Sequence, residues 1–308
     1  MSIKEEQLTH PERQTFVPPP AILHQPEPAK EQPPGRGRRW FVIAWMIVLL
    51  LIGGIAWFLV NLPSGGFVVP TSSQKTSTFT VGAHPQLVVQ NDVGTTQIAG
   101  SSSGNEVAIT ESKWQTVGII NLDDIRVSSV KSADGNTITV AVERLHGTTD
   151  STATGVNLDI TVPLHTELSL VATRGSIEVT GVSGRMTLKS NTGSIQVTAS
   201  NLTGSSILAT QTGSLSFNGT IVAKDANGPC TYQFLTILSP IHIALARNSA
   251  FDLDASNRTG AIESNIPGMT KRLGPTQFEA HGSLGNPPRA HVIVMSRMGP
   301  IQVNTVGS

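Results

Sequence analysis

Carboxylates, imidazoles and one thiol are the side chains with which this chain would do acid–base, metal or nucleophilic work. Asp252 and Asp254 alternate around Leu253, so on an extended strand both project from one face. Such a pair binds a cation or divides the acid and base roles of glycoside hydrolysis, given a cleft and aromatic rings to hold a sugar. Phe251 and Leu253 read as core and no aromatic platform accompanies them, so two solvated carboxylates are expected, and Asp123 and Asp124 read the same way. His242 lies between Ile241 and Ile243 and points outward. His281 and His291 stand on either side of a Pro- and Gly-rich stretch, and no His, Cys or carboxylate group has the spacing of a metal site.

Cys230 is the only cysteine, which excludes an internal disulfide and reads as a buried, inert thiol. No G-x-S-x-G elbow is present, and the Gly-Ser pairs beginning at Gly175, Gly193 and Gly213 recur too regularly to be nucleophiles. GSSSG at Gly100–Gly104 lacks the lysine and following helix of a phosphate loop, so it reads as a turn. Asn201, Asn218 and Asn257 begin N-x-T triplets of the kind that recur by chance in Thr-rich chains. The expectation is a protein that is not an enzyme, with no catalytic, cofactor-binding or metal-ligating residues.

Whatever those side chains do, strands must position them. The formal charge is +0 and 14% of residues are charged, which argues against a nucleic-acid partner. Twenty-nine glycines with abundant Ser, Thr and Val, against 5% aromatics, suit strands and tight turns.

Residues 1–39 are Pro-rich, without apolar periodicity, and read as a disordered tail. Trp40 to Leu62 is a run of 23 residues without a charge, longer than a signal-peptide core and long enough as a helix to cross the ~30 Å of bilayer hydrocarbon. Arg36, Arg38 and Arg39 crowd its N-terminal flank, whereas the next basic residue after it is Lys75. By the positive-inside rule the N-terminus is cytoplasmic and the larger C-terminal part extracytoplasmic. Residues 63–78, rich in Ser, Thr, Gly and Pro, read as a flexible stalk, and the folded domain is expected over 79–306.

Within that domain the runs TFTV, PQLVVQ, TTQIAG, EVAIT, DIRVSSV, NTITVAVE and GVNLDITV alternate as half-buried strands do. Asp134-Gly135, within SADGN, suits a hairpin turn. Then one phrase recurs: RGSIEV, TGSIQV, TGSLSF and TGAIES, with SPIHI from Ser239 as a variant and MGPIQV last. Its glycines are Gly175, Gly193, Gly213, Gly260 and Gly299, the first three 18 and then 20 residues apart. With glycine at each corner, Ile177 and Val179, Ile195 and Val197, Leu215 and Phe217, Ile241 and Ile243, and Ile301 and Val303 would line one core. The fold expected is all-β, a β-solenoid-like stack of strand repeats after one transmembrane helix; an antiparallel meander or sandwich is the alternative.

The stretch DITVPLHTELSLVATRGSIEVTGVSGRMTLKSNTGSIQVTASNLTG resembles a bacterial putative-adhesin family of unknown function built of β-strand repeats. The resemblance is strongest over 159–218 and covers roughly 79–306. It implies a membrane-anchored cell-surface protein with no catalytic residues to carry over, and some members look like accessory proteins of envelope-stress signalling. The sequence departs from the pattern at Ser239-Pro240 and in the insertion MTKRLGPTQFEAHGSLGNPPR. The reading is a non-enzymatic module presenting a binding, adhesion or scaffold surface to an envelope polymer or surface protein. A signalling accessory is the alternative, and a polysaccharide lyase or hydrolase a weaker one.

Overall fold

A computed structural model describes residues 72–102, 104–115, 122–144, 154–274 and 276–307. All belong to the second of the chain's two units, Phe67–Ser308. The tail at 1–39, the span at 40–62 and Arg36, Arg38 and Arg39 lie outside the described residues. Among the described residues no helix is long and apolar enough to cross a membrane.

The domain is all-β, with two large mixed sheets of eleven strands each. The first runs, in spatial order, Ser72–Thr80, Glu106–Gln115, Thr154–Pro163, Thr96–Ser101, Ile177–Thr180, Ile195–Leu202, Leu215–Ile221, Ile241–Ala246, Ile301–Val306 and Ile262–Ser264, with Ser183–Gly184 beside Ile195–Leu202. The second runs Thr270–Leu273, Phe278–Leu284, Phe251–Thr259, Ala290–Met298, Thr231–Thr236, Ser206–Thr212, Met186–Thr192, Glu167–Arg174, Gln86–Val93, Thr137–Arg144 and Ile125–Lys131. Strand pairing begins at Ser72, inside the expected stalk: the Ser/Thr-rich segment pairs antiparallel with Glu106–Gln115 as an edge strand.

Alternation puts one side chain in two on the shared interior. Ile177, Ile195, Leu215, Ile241 and Ile301 are paired in register across the first sheet, as are Val179, Val197, Phe217, Ile243 and Val303. All ten are buried, and with Leu168, Leu170, Leu188, Leu208 and Phe234 of the second sheet they form one hydrophobic cluster. Phe217 and Phe234 meet across the layers with ring centroids 5.4 Å apart. Each such buried side chain contributes about 1.5–3 kcal/mol relative to exposure.

The architecture is a sandwich, the alternative reading of the sequence though with mixed rather than antiparallel sheets, and not the solenoid-like stack expected from the repeats. Chain order and spatial order agree only over 167–246. Beyond that, Ala290–Met298 inserts between Thr231–Thr236 and Phe251–Thr259 in the second sheet, and Ile301–Val306 between Ile241–Ala246 and Ile262–Ser264 in the first. At the other end Thr96–Ser101 and Gln86–Val93 insert in the same way. Antiparallel strands then finish every margin but that of Ile262–Ser264, which is parallel to its neighbour; among them is the hairpin turning at 132–136, where Gly135 has φ 75°.

The corners depend on more than glycine. Gly193, Gly213, Gly260 and Gly299 have φ of 149°, 137°, 135° and 154°, where L side chains rarely sit. Gly175 has no such φ; it is glycine because a Cβ there would lie 2.0 Å from the Gly94 carbonyl oxygen. Three residues before Gly94, Gly193, Gly213, Gly260 and Gly299 stands a buried polar side chain, respectively Asn91, Ser190, Thr210, Asn257 and Ser296, whereas Gly175 has Ala172 in that place. Ser190 Oγ donates to the Gly175 carbonyl at 3.0 Å, Thr210 Oγ1 to that of Gly193 at 2.9 Å, and Asn257 Nδ2 to that of Gly299. At the Ser239-Pro240 corner, Thr236 Oγ1 donates to the Ser239 carbonyl at 2.7 Å. This internal ladder satisfies carbonyls that the turn takes out of the sheet.

Candidate binding surface

The strand lattice fixes what the outer face of the second sheet displays. Outward positions on Thr231–Thr236, Ala290–Met298, Phe251–Thr259 and Phe278–Leu284 fall into rows by register. One row holds Gln233, Ile293, Asp254 and His281; the next, Leu235, Met295, Ser256 and Glu279. Beyond them come Ile237, Arg297, Arg258 and Gln277.

Asp254 is the centre of the charged part. Its Oδ1 faces His281 Nδ1 at 2.5 Å and its Oδ2 faces His291 Nε2 at 2.5 Å. The three side chains are about half exposed, at 47%, 55% and 47% for Asp254, His281 and His291. The His291 hydrogen bond, with a lesser one from His281, holds the Asp254 carboxyl below the usual carboxylate range against the opposing effect of burial. Asp252 accepts from Ser283 Oγ at 2.6 Å and lies 3.5 Å from Arg289 Nη1. The two aspartates do share a face, but they are paired, not simply solvated. Their partners come from the insertion after Ile266 and from the inserted strand, which the spacing of His281 and His291 in sequence does not suggest.

This arrangement can hold charge and exchange protons. Among the described residues no hydroxyl or thiol is bonded to either imidazole, so the nucleophile that would complete a hydrolytic triad is not assembled there. Nor, among the described residues, does any group of three or more His, Cys, Asp or Glu converge to hold a metal ion.

Beside the cluster the sheet face dips into two adjoining depressions of about 310 and 360 Å³. They share Ser256, Gln277 and Met295; Ile293 and Leu235 extend the apolar floor, and Arg258 and Arg297 bound the far end. Met295 is 47% exposed, unusual for a thioether side chain mid-strand.

The other sequence candidates fall elsewhere. His242 is outward on the first sheet, its Nδ1 3.1 Å from Gln302 Oε1. Asp123 and Asp124 sit in a short 3-10 turn, while Gly100 and Ser101, expected to begin a turn, are instead the last two residues of a strand. Cys230 is buried, which pushes its thiol pKa up. Asn257 is fully buried, so its triplet cannot accept a glycan in the folded domain.

No protein-family model matches the chain, and no curated protein matches it. Among solved structures, it is similar in part to a putative cell adhesion protein from Clostridium sporogenes. That match is 9% identical and covers 77% of this chain and 100% of that one, with a TM-score of 0.43. A putative adhesin from Bacteroides fragilis is 13% identical over 76% of this chain and 97% of its own, with a TM-score of 0.39. Likenesses this coarse leave the functional reading to the chain's own surface.

Proposed function

We propose that the protein is a non-enzymatic, single-pass membrane-anchored module that presents the outer face of its second sheet, outside the cell, to an envelope polymer or surface protein. The observation that carries this reading is the apolar floor of exposed Met295 and half-buried Ile293 and Leu235 between two charged borders, Asp254–His281–His291 and Arg258–Arg297. An apolar centre with a polar rim is the anatomy of a recognition surface. The charge-free run at 40–62, flanked by Arg36, Arg38 and Arg39, supports the anchor and its orientation.

The test is retention of envelope material by the full-length chain held in zwitterionic lipid nanodiscs. Leu235→Glu with Met295→Glu should abolish retention without moving the melting temperature, since both side chains face outward. Retention no greater than that of an inert β-protein, or equal retention by the variant, overturns the reading.

A further inference from the structure

Arg258 and Arg297 are register neighbours on parallel strands, about one strand spacing of ~4.8 Å apart. Both are exposed, and neither guanidinium has a carboxylate partner among the described residues. The nearest acid in the next row, Glu279, is engaged by Gln277 Nε2 at 2.9 Å. Like charges directly opposite on a sheet repel, and an oxyanion lying across both would remove the repulsion. Guanidinium groups bind carboxylates through two parallel hydrogen bonds, which a pair of them can do from both sides.

The apolar floor decides what carries that oxyanion. Met295 and Arg297 are two residues apart on one strand, about 6.6 Å, which is also the spacing of same-side side chains in an extended peptide. A peptide lying along the strands therefore places an apolar side chain over Met295 and Leu235 and, two residues on, an acidic one over Arg297 and Arg258. No Phe, Tyr or Trp ring lines either depression, and the two imidazoles at one end are tied to Asp254, so a sugar ring lacks the usual stacking platform, whereas methionine adapts to aliphatic side chains.

We infer that this groove binds an extended segment of a partner protein in which an apolar residue is followed, two positions later, by Asp or Glu. The inference rests on the binding role proposed above and names its ligand chemistry.

The probe is a fluorescent peptide of repeating Leu-Thr-Glu, titrated into the full-length chain in zwitterionic nanodiscs and read by anisotropy. Leu-Thr-Gln should bind at least about tenfold more weakly, and Arg258→Gln with Arg297→Gln should cost the Glu peptide a similar factor. Met295→Ser should weaken the peptide but not inorganic polyphosphate. Equal affinity of the Glu and Gln peptides, or no effect of the double Arg variant, overturns the inference. So does polyphosphate binding as tightly as the peptide with Met295→Ser leaving both unchanged, which would mean a bare anion patch. Envelope retention that survives the double Arg variant but is lost in Leu235→Glu, Met295→Glu overturns this inference alone and leaves the proposed function standing.

Discussion

The stack at 167–246 and the block at 251–306 are built from the same phrase and put to different uses. In the stack, strands follow one another in chain order, and the outward residues of the second sheet are mostly small or polar, such as Ser169, Thr187, Lys189 and Gln211. In the block, chain order breaks, a non-repeating hairpin at 270–284 joins the sheet, and the outward residues are Asp252, Asp254, Arg258, His281, His291 and Arg297. Stacking constrains inward and corner positions tightly. Chemistry collects where a strand's neighbour is supplied by a distant part of the sequence.

Corner glycines should separate the two regions most sharply. A Cβ on Gly213 would lie 2.3 Å from the Gly193 carbonyl oxygen, at a φ of 137°. Gly213→Ala should therefore cost about 3 kcal/mol or more. Gly268, in the insertion, has a φ of 72° but nothing within 4 Å of an added Cβ. Gly268→Ala should cost about 1 kcal/mol. Urea denaturation of the full-length chain measures both, and equal losses would erase the distinction.

The internal ladder gives a smaller contrast. Thr210→Val removes one donor, to the Gly193 carbonyl, at about 1 kcal/mol. Asn257 serves two partners, donating to Gly299 and accepting from the Thr259 amide at 3.1 Å. Asn257→Ala should cost about 2–3 kcal/mol in the same denaturation experiment, because it leaves both groups unmatched in a fully buried place. A larger loss for Thr210→Val would mean that the central corners depend on the ladder more than the outer one does.

The smallest effect expected is at Asp254. Its carboxyl pKa is lower folded than unfolded, so the stabilisation is present above about pH 4 and is lost as pH falls through the depressed value. Half exposure limits it to less than ~1 kcal/mol. Asp254→Asn should flatten the acid limb of melting temperature against pH, and an unchanged limb would mean that the two histidines do not act on the carboxylate in solution.

Much of this division was legible in the sequence. The inward columns of Ile177 and Val179 and their successors follow from period two, and the turn at 132–136 from its Asp134-Gly135 pair. The corner glycines stand out in the sequence, and aligning on them exposes the serine, threonine or asparagine three positions earlier, since [S/T/N]-x-x-G recurs at 91, 190, 210, 257 and 296. Strand order was hidden because parallel pairing leaves no local trace: nothing near Ile301 says that its partners are Ile241 and Ile262. For the same reason Asp254 looked like a solvated carboxylate. Its imidazoles arrive from strands whose register is fixed by long-range contacts, and the insertion that seemed a departure from the repeat supplies one of them.

The insertion of 290–306 between earlier strands also orders events in time. A segment delivered N-terminus first can assemble 167–246 as it emerges, each strand finding a predecessor already in place. Phe251–Thr259 and Ile262–Ser264 cannot join the sheets until Ala290–Val306 arrives to bridge them. The groove, with Met295 and Arg297 in its floor and rim, therefore forms late, and a chain caught midway has a formed scaffold without it.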